Sequence, residues 1–374
     1  MKISIIGGGN IGTWLAGEWG MGGHEVCMYT HHPEQWSRSI AVLDRNAVIL
    51  GEGPLALVTS DLKAAIDFGD LILVTWPAHV RPSLLAELGK LARPEQVVAV
   101  MPGTGGVEFL AEGILRRGAF FCGFQRVASI ARIKEYGRSV HMLGKKSEVV
   151  LGVVGDSPGE EISRRFSDLL GIPCKMVKNY LEVTLTPSNP VLHTARVYQL
   201  FKNYHPGVVY NKCPLFYEEW EDEASECLLG ADAELQTFCS LMSAQGLDMR
   251  GVISLKSYYE SSVPDALSHK LRSISAFKGI RAPMTGVPGG FVPDLSSRYF
   301  LEDFSYGICI VKGFCEIGGI STPVIDRELQ WFSRLMGLEY YREGAYIGRD
   351  LVATGSPQRF GFRTVQDVLD FYLR

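Results

Sequence analysis

The sequence predicts a two-part α/β chain: a doubly wound parallel sheet over residues 1–178, then a mostly α-helical domain over residues 179–374. Three observations predict it. Short apolar, β-branched runs alternate with helical patterns through the first part, which is the signature of parallel strands joined by crossover helices. A glycine cluster, Gly7-Gly8-Gly9-Asn10-Ile11-Gly12, sits between the first strand pattern and the first helix pattern. From about Asn179 the strand signals thin out and long helical patterns take over.

In chain order, Lys2–Ile6 reads as a strand, and Asn10 to about Gly20 as a helix with Ile11, Leu15 and Trp19 on one face. His24–Tyr29 reads as the second strand. Further strand patterns fall at Leu71–Thr75, Val97–Met101, Ala119–Phe124 and Val149–Val154. Ser60-Asp61 has the form of a helix N-cap, and Pro82–Leu91 that of an amphipathic helix. In the second part, Pro190–Phe201, Ala231–Ala244 and Phe304–Ile317 are helical patterns.

Composition narrows the function classes. The chain has 374 residues, 46% of them hydrophobic and 21% charged, enough for two cores. A net charge of −4 gives no case for a nucleic-acid partner. The longest apolar runs, such as Leu71–Val74, are too short to span a bilayer, so no membrane association is expected. The N-terminal residues lack a signal-peptide pattern, and the expected location is cytoplasmic. The eight cysteines are scattered without a Cys-x-x-Cys pair and read as reduced core residues. No cluster has metal-ligand spacing.

The glycine cluster is a G-x-G-x-x-G in the context that gives the pattern meaning, strand before and helix after. It makes the first part a Rossmann-type nicotinamide dinucleotide site. Gly7 permits the tight turn, Gly9 lets the backbone approach the pyrophosphate, and Gly12 lets helix and sheet pack closely. The amides of Asn10 and Ile11 open the helix whose positive end attracts phosphate. The end of the second strand reads Tyr29-Thr30-His31-His32-Pro33, without the acid that usually accepts the ribose hydroxyls of NAD. A carboxylate there would repel a 2′-phosphate, whereas a hydroxyl and imidazoles can donate to one. NADP(H) is therefore expected over NAD(H), with Thr30 and His31 as contacts and Arg38 as a further candidate. The loops holding Thr75 and Pro77, and holding Gly103, lie where open α/β sheets bind ligands. Turn chemistry explains those loops equally well.

A nicotinamide enzyme also needs a proton donor or acceptor and a cation for an anionic substrate. Thr186-Pro187-Ser188-Asn189-Pro190-Val191-Leu192-His193 supplies the first: Ser188 or Asn189 can cap a helix starting at Pro190, placing His193 in its first turn. Arg298, in the segment Asp294–Gly307, suits a bidentate grip on a carboxylate, and Asp303 could orient His193. Taken alone, the histidine could equally be structural and the charged cluster a solvated helix start. Gln125, Arg126 and Arg132 are further candidates for the site or for the surface. The acidic run Glu218–Glu223 could hold a cationic amino acid, or simply face solvent.

Asn-Pro-x-x-His at 189–193, Arg-Tyr-x-x-Glu-Asp at 298–303 and the stretch Gly313–Pro323 resemble the signature segments of the octopine/nopaline (opine) dehydrogenase family. The likeness spans nearly the whole chain. It implies an enzyme that joins an amino acid to an α-keto acid and reduces the resulting imine with NAD(P)H. It further implies His193 as the catalytic histidine, Asp303 as its acid, Arg298 as the keto-acid anchor, and Asn189 as an active-site residue. Gln125 stands beside Arg298 and Asn189 in the expected substrate set. One departure is Thr194, where family members often carry proline. The rival readings are a hydroxyacid or ketopantoate-type reductase using a lysine such as Lys202, and a non-catalytic NADP-binding sensor. A homodimer contact is one reading of the C-terminal aromatics Phe360, Phe362, Phe371 and Tyr372; core packing is the other.

Overall fold

The computed structural model describes residues 1–373, which divide into two compact units, 1–184 and 185–373. Residues 179–184, expected with the helical domain, belong to the first unit, where the buried Tyr180 donates from its hydroxyl to Gly103 O at 3.1 Å.

The first unit runs β1 (Lys2–Ile6), α1 (Asn10–Met21), β2 (Glu25–Tyr29), β3 (Ser39–Leu43), β4 (Ile49–Pro54), β5 (Leu57–Thr59), α2 (Leu62–Phe68), β6 (Leu71–Val74), α3 (Arg81–Leu91), β7 (Val97–Val100), α4 (Glu112–Arg116), β8 (Phe120–Phe124), β9 (Ser129–Glu135), β10 (Ser139–Lys145), β11 (Val149–Val154), α5 (Gly159–Leu170), β12 (Cys174–Met176) and α6 (Leu181–Thr184). Its main sheet has the order β12-β11-β8-β7-β6-β1-β2-β5. The strands β8-β7-β6-β1-β2-β5 are all parallel, and the central β1, β6 and β7 are buried and rich in Val, Ile and Leu, as expected of a sheet covered on both faces. β11 is antiparallel to β8, because a hairpin rather than a crossover helix joins them. Asp61 caps α2 by accepting from Ala64 N–H at 3.1 Å.

A second sheet, β4-β3-β10-β9, was not legible in the sequence. It packs on α1, and the Ile133 amide of β9 donates to Asn10 Oδ1 at 2.9 Å.

The second unit comprises α7 (Asn189–Phe201), α8 (Asp222–Ala244), α9 (Leu255–Tyr258), α10 (Pro264–Ser273), the hairpin β13 (Met284–Val287) and β14 (Gly290–Pro293), α11 (Arg298–Leu301), a π-turn at Phe304–Ile308, α12 (Cys309–Ile317), α13 (Pro323–Met336) and α14 (Val365–Tyr372). α7 packs against α8, α13 and the π-turn. Phe304 stacks on Phe332 at 4.1 Å between ring centroids, tying the π-turn to α13. The C-terminal aromatics pack within this unit, Phe362 on Phe314 and on Phe371. Among the described residues, no helix is long and apolar enough to cross a membrane.

Glu328 on α13 is fully buried. Burial pushes its carboxyl up to about 8, with the Thr194 hydroxyl and Arg327 offsetting only part of the effect. The folded chain therefore keeps a proton that the unfolded chain releases near 4.5, and stability falls as pH rises between those two values. The slope contributed by this group is up to about 1.4 kcal/mol per pH unit. Glu328→Gln, neutral at every pH, should flatten that dependence and melt above the wild type at pH 8; identical melting-versus-pH curves for the two proteins would contradict this.

Candidate active site

The dinucleotide loop is built by close contact. Gly7 adopts φ +130°, and its N–H donates to Tyr29 O at 3.3 Å. A Cβ on Gly12 would lie 1.8 Å from Gly7 O, so only glycine lets α1 approach the first strand this closely. Thr75 braces the turn, donating from its amide to Ile6 O and from Oγ1 to Gly7 O, both at 3.0 Å. At Gly9 an added Cβ would meet nothing within 4 Å, so open space lies over the N-terminus of α1. No acidic residue occupies the first turn of α1, whose leading amides lack helical partners. Bare glycine, free amides and the absence of negative charge fit the pyrophosphate of a dinucleotide.

Around this loop the expected contacts fall into two groups. Ile11 is half-buried against the core. Pro77 is exposed ahead of a short 3₁₀ turn at Ala78–Val80. His31 is exposed and stacks on Trp76 at 5.5 Å. Thr30 is buried, its Oγ1 3.1 Å from Tyr136 Oη and accepting from His32 N–H at 3.3 Å. Tyr136, contributed by the second sheet, is a neighbour of the β2 end that sequence reasoning missed. Other expected contacts are occupied by the fold. Asn10 has its side-chain oxygen on β9. Gly103 is buried, with its N–H on Phe124 O and its carbonyl on Tyr180. Gln125, expected at the substrate, is also buried, and its amide donates to Glu182 O at 2.9 Å. That bond ties β8 to α6, because a buried amide needs a partner.

In the second unit α7 begins at Asn189, one residue before the expected Pro190. Ser188 is its N-cap but makes no side-chain capping bond. His193 is therefore the fifth helical residue, one turn in. Pro190 packs against Gly307 of the π-turn, where a Cβ would come within 2.6 Å of the proline ring. This contact brings the π-turn to α7, and Asp303 just before it meets the imidazole: His193 Nδ1 lies 2.8 Å from Asp303 Oδ2. Both side chains are buried, at 2% and 7% exposure. An ionised carboxylate only accepts, so Nδ1 carries the proton of this bond, and in the neutral ring Nε2 is left as an acceptor. Nε2 is 2.9 Å from the hydroxyl of Tyr217, another residue that sequence reasoning missed. Tyr299 lies against the imidazole at 4.6 Å between centroids.

Arg298 opens α11, exposed, with its guanidinium over the Tyr299 ring at 5.4 Å. Desolvation opposes its charge, but the field of Asp303, with Tyr299, Glu302 and Tyr217, outweighs that and raises its pKa. An exposed, firmly charged guanidinium thus stands in the electrostatic neighbourhood of the buried pair. Asn189 is exposed at the start of the same helix as His193. Lys202 sits at the opposite end of α7, paired with Glu223. The acidic run is spent on local structure: Glu218 accepts from Gly279 N–H, Glu219 pairs with Lys212, Glu221 lies by Arg196 and Asp222 by Arg272.

A dinucleotide-binding sheet followed by a helical unit with a buried histidine–carboxylate pair defines a two-domain nicotinamide dehydrogenase. The comparisons specify which kind. A profile of the NAD/NADP octopine/nopaline dehydrogenase alpha-helical domain matches residues 176–336, and one of the NAD-dependent glycerol-3-phosphate dehydrogenase N-terminus matches residues 2–114. The chain is 30% identical to tauropine dehydrogenase of Arabella iricolor, over 98% of this chain and 99% of that one. It is 26% identical to octopine dehydrogenase of Pecten maximus, over 99% and 98%. A solved octopine dehydrogenase holding NADH and L-arginine superposes with a TM-score of 0.83 at 25% identity, covering 99% of this chain and 98% of that one. The chain belongs to the octopine/nopaline (opine) dehydrogenase family and is an NAD(P)-dependent oxidoreductase of that type.

Gly12→Ala tests the dinucleotide loop. Its new methyl must displace Gly7, so dinucleotide affinity measured by titration calorimetry should weaken at least about tenfold, or about 1.4 kcal/mol; wild-type affinity would count against the loop as the binding site.

Proposed function

We propose that this protein condenses an amino acid with an α-keto acid and reduces the resulting imine, with His193 as general acid/base, Asp303 as its orienting partner and Arg298 as the keto-acid anchor. The observation that carries this is the buried His193–Asp303 contact at 2.8 Å beside a charged, exposed arginine. When bound, the nicotinamide supplies the hydride that reduces the C=N carbon. Arg298 offers a planar, permanently charged fork to a carboxylate. Asp303 holds Nδ1 protonated and stabilises the imidazolium formed when Nε2 takes a proton. Asn189 lies at the start of the same helix, available for a polar contact to substrate. The solved octopine dehydrogenase holding NADH and L-arginine supports an amino-acid substrate.

For the cofactor, the reading is NADP(H) over NAD(H). No carboxylate follows Tyr29, and the Thr30 hydroxyl and His31 imidazole offer donors in its place. The solved octopine dehydrogenase holds NADH, which sets the opposite outcome for this chain.

Two measurements test these roles. Oxidation of NADPH and NADH against a matrix of amino acids and α-keto acids should require both substrates, and His193→Ala should lower kcat by about 10²–10⁴-fold. Turnover with a keto acid alone, or full activity in His193→Ala with loss in Lys202→Ala, would favour a simple hydroxyacid or ketopantoate-type reductase. The KM for NADPH should lie below that for NADH. His31→Asp should raise the NADPH value roughly tenfold, since like charges about 4 Å apart repel by about 1–4 kcal/mol near a protein surface; equal or better use of NADH by the wild type would remove the NADP(H) assignment.

A further inference from the structure

Both nitrogens of the His193 ring are engaged within its own unit, Nδ1 by Asp303 and Nε2 by Tyr217, and the ring is almost fully buried. A proton leaving Nε2 therefore has Tyr217 Oη as its first acceptor. We propose that Tyr217 is the group that exchanges protons with the substrate, and that His193 and Asp303 act through it as a relay. This rests on the His193 reading above and deepens it.

The local structure favours a relay over a movable cover. Tyr217 lies flat against Phe277, with 4.0 Å between centroids and 18° between planes, and parallel to Trp220 on the 5° scale of a stack. Arg196, one turn beyond His193 on α7, is buried and grips the backbone of the same segment. It donates to Phe216 O at 3.0 Å and to Glu219 O at 2.5 Å. One helix thus fixes both the imidazole and the loop that carries the hydroxyl. Burial, with Tyr299 and Tyr259, pushes the Tyr217 phenol well above its usual value, and Arg298 acts in the opposite direction. The phenol therefore holds its proton at rest and can pass one only as it receives another. Arg298 stands over the Tyr299 ring, which itself lies against the His193 imidazole.

The proton balance of imine formation suits such a device. The substrate ammonium loses a proton to Oη while the Oη proton moves to Nε2, giving an imidazolium held by Asp303. The free amine attacks the carbonyl carbon, the C–N bond forms, and a second nitrogen proton passes through Oη to the former carbonyl oxygen. The Nε2 proton then returns through Oη, the C–O bond breaks, and the oxygen leaves as water. Two protons leave nitrogen and two leave with oxygen, and an iminium remains for reduction.

Tyr217→Phe removes only the hydroxyl and keeps the stack. In single-turnover experiments with saturating amino acid and keto acid, the variant should slow by about 100-fold or more, with its melting temperature and dinucleotide affinity unchanged. A rate at or above that of the wild type would overturn the relay and make the hydroxyl a mere cover on Nε2. Full activity in His193→Ala would instead overturn the imidazole reading on which the relay rests, so the two failures are separable. Should Tyr217→Phe fold poorly, a proton inventory on the wild type in mixed H2O and D2O decides the matter. A curved dependence, from two protons moving together, is expected, and a linear one contradicts the relay.

Discussion

The contact between Pro190 and Gly307 is the constraint on which the rest of the site depends. It presses the π-turn against the start of α7, and by doing so delivers Asp303 to His193 inside the second unit. A side chain at position 307 would push the two apart, and π-turns are rare enough in helices that they often mark functional positions. Stability does not account for the pair. Replacing a buried ion pair with apolar residues is often neutral or stabilising by about 1–4 kcal/mol. The pair is therefore weak evidence of a stabilising role, which agrees with the chemical role proposed for it.

The same helix also organises what surrounds the imidazole. Arg196 follows His193 by one turn and secures the Tyr217 segment, while Thr194 faces inward toward Glu328 on α13. The Thr194 hydroxyl donates back to Pro190 O at 2.7 Å. Such a bond from a helical threonine to the carbonyl one turn back satisfies the buried hydroxyl and tends to bend the helix. Polar groups buried along α7 thus position His193 and the Tyr217 segment, and Glu328, facing them from α13, imposes a pH-dependent cost on stability.

The sequence carried the main sheet and the candidate site segments because both are written locally. β-branched runs, the spacing of Gly7, Gly9 and Gly12, and the segments 189–193 and 298–303 are each contained within a few residues. The second sheet was hidden because its strands come from two distant segments, with Ala41 pairing with Ser139. Tyr136 and Tyr217 were hidden for a similar reason. Each is an ordinary tyrosine in sequence and acquires a role only through a contact to Thr30 or His193. Gln125 and Gly103 show the converse: they lie in loops that suit a ligand, but the fold uses their polar groups. The acidic run is likewise absorbed by lysines, arginines and backbone amides of its own unit.

The proposed reaction reduces a carbon–nitrogen double bond. Deuteride transfer tests it most directly: the enzyme is given nicotinamide dinucleotide deuterated at the transferring position of C4, together with an amino acid and an α-keto acid, and the product is analysed by mass spectrometry and NMR. One deuterium is expected on the carbon that joins the keto-acid skeleton to the amine nitrogen of a secondary amine. Deuterium appearing instead in a 2-hydroxy acid, with the amino acid recovered unchanged, would contradict it.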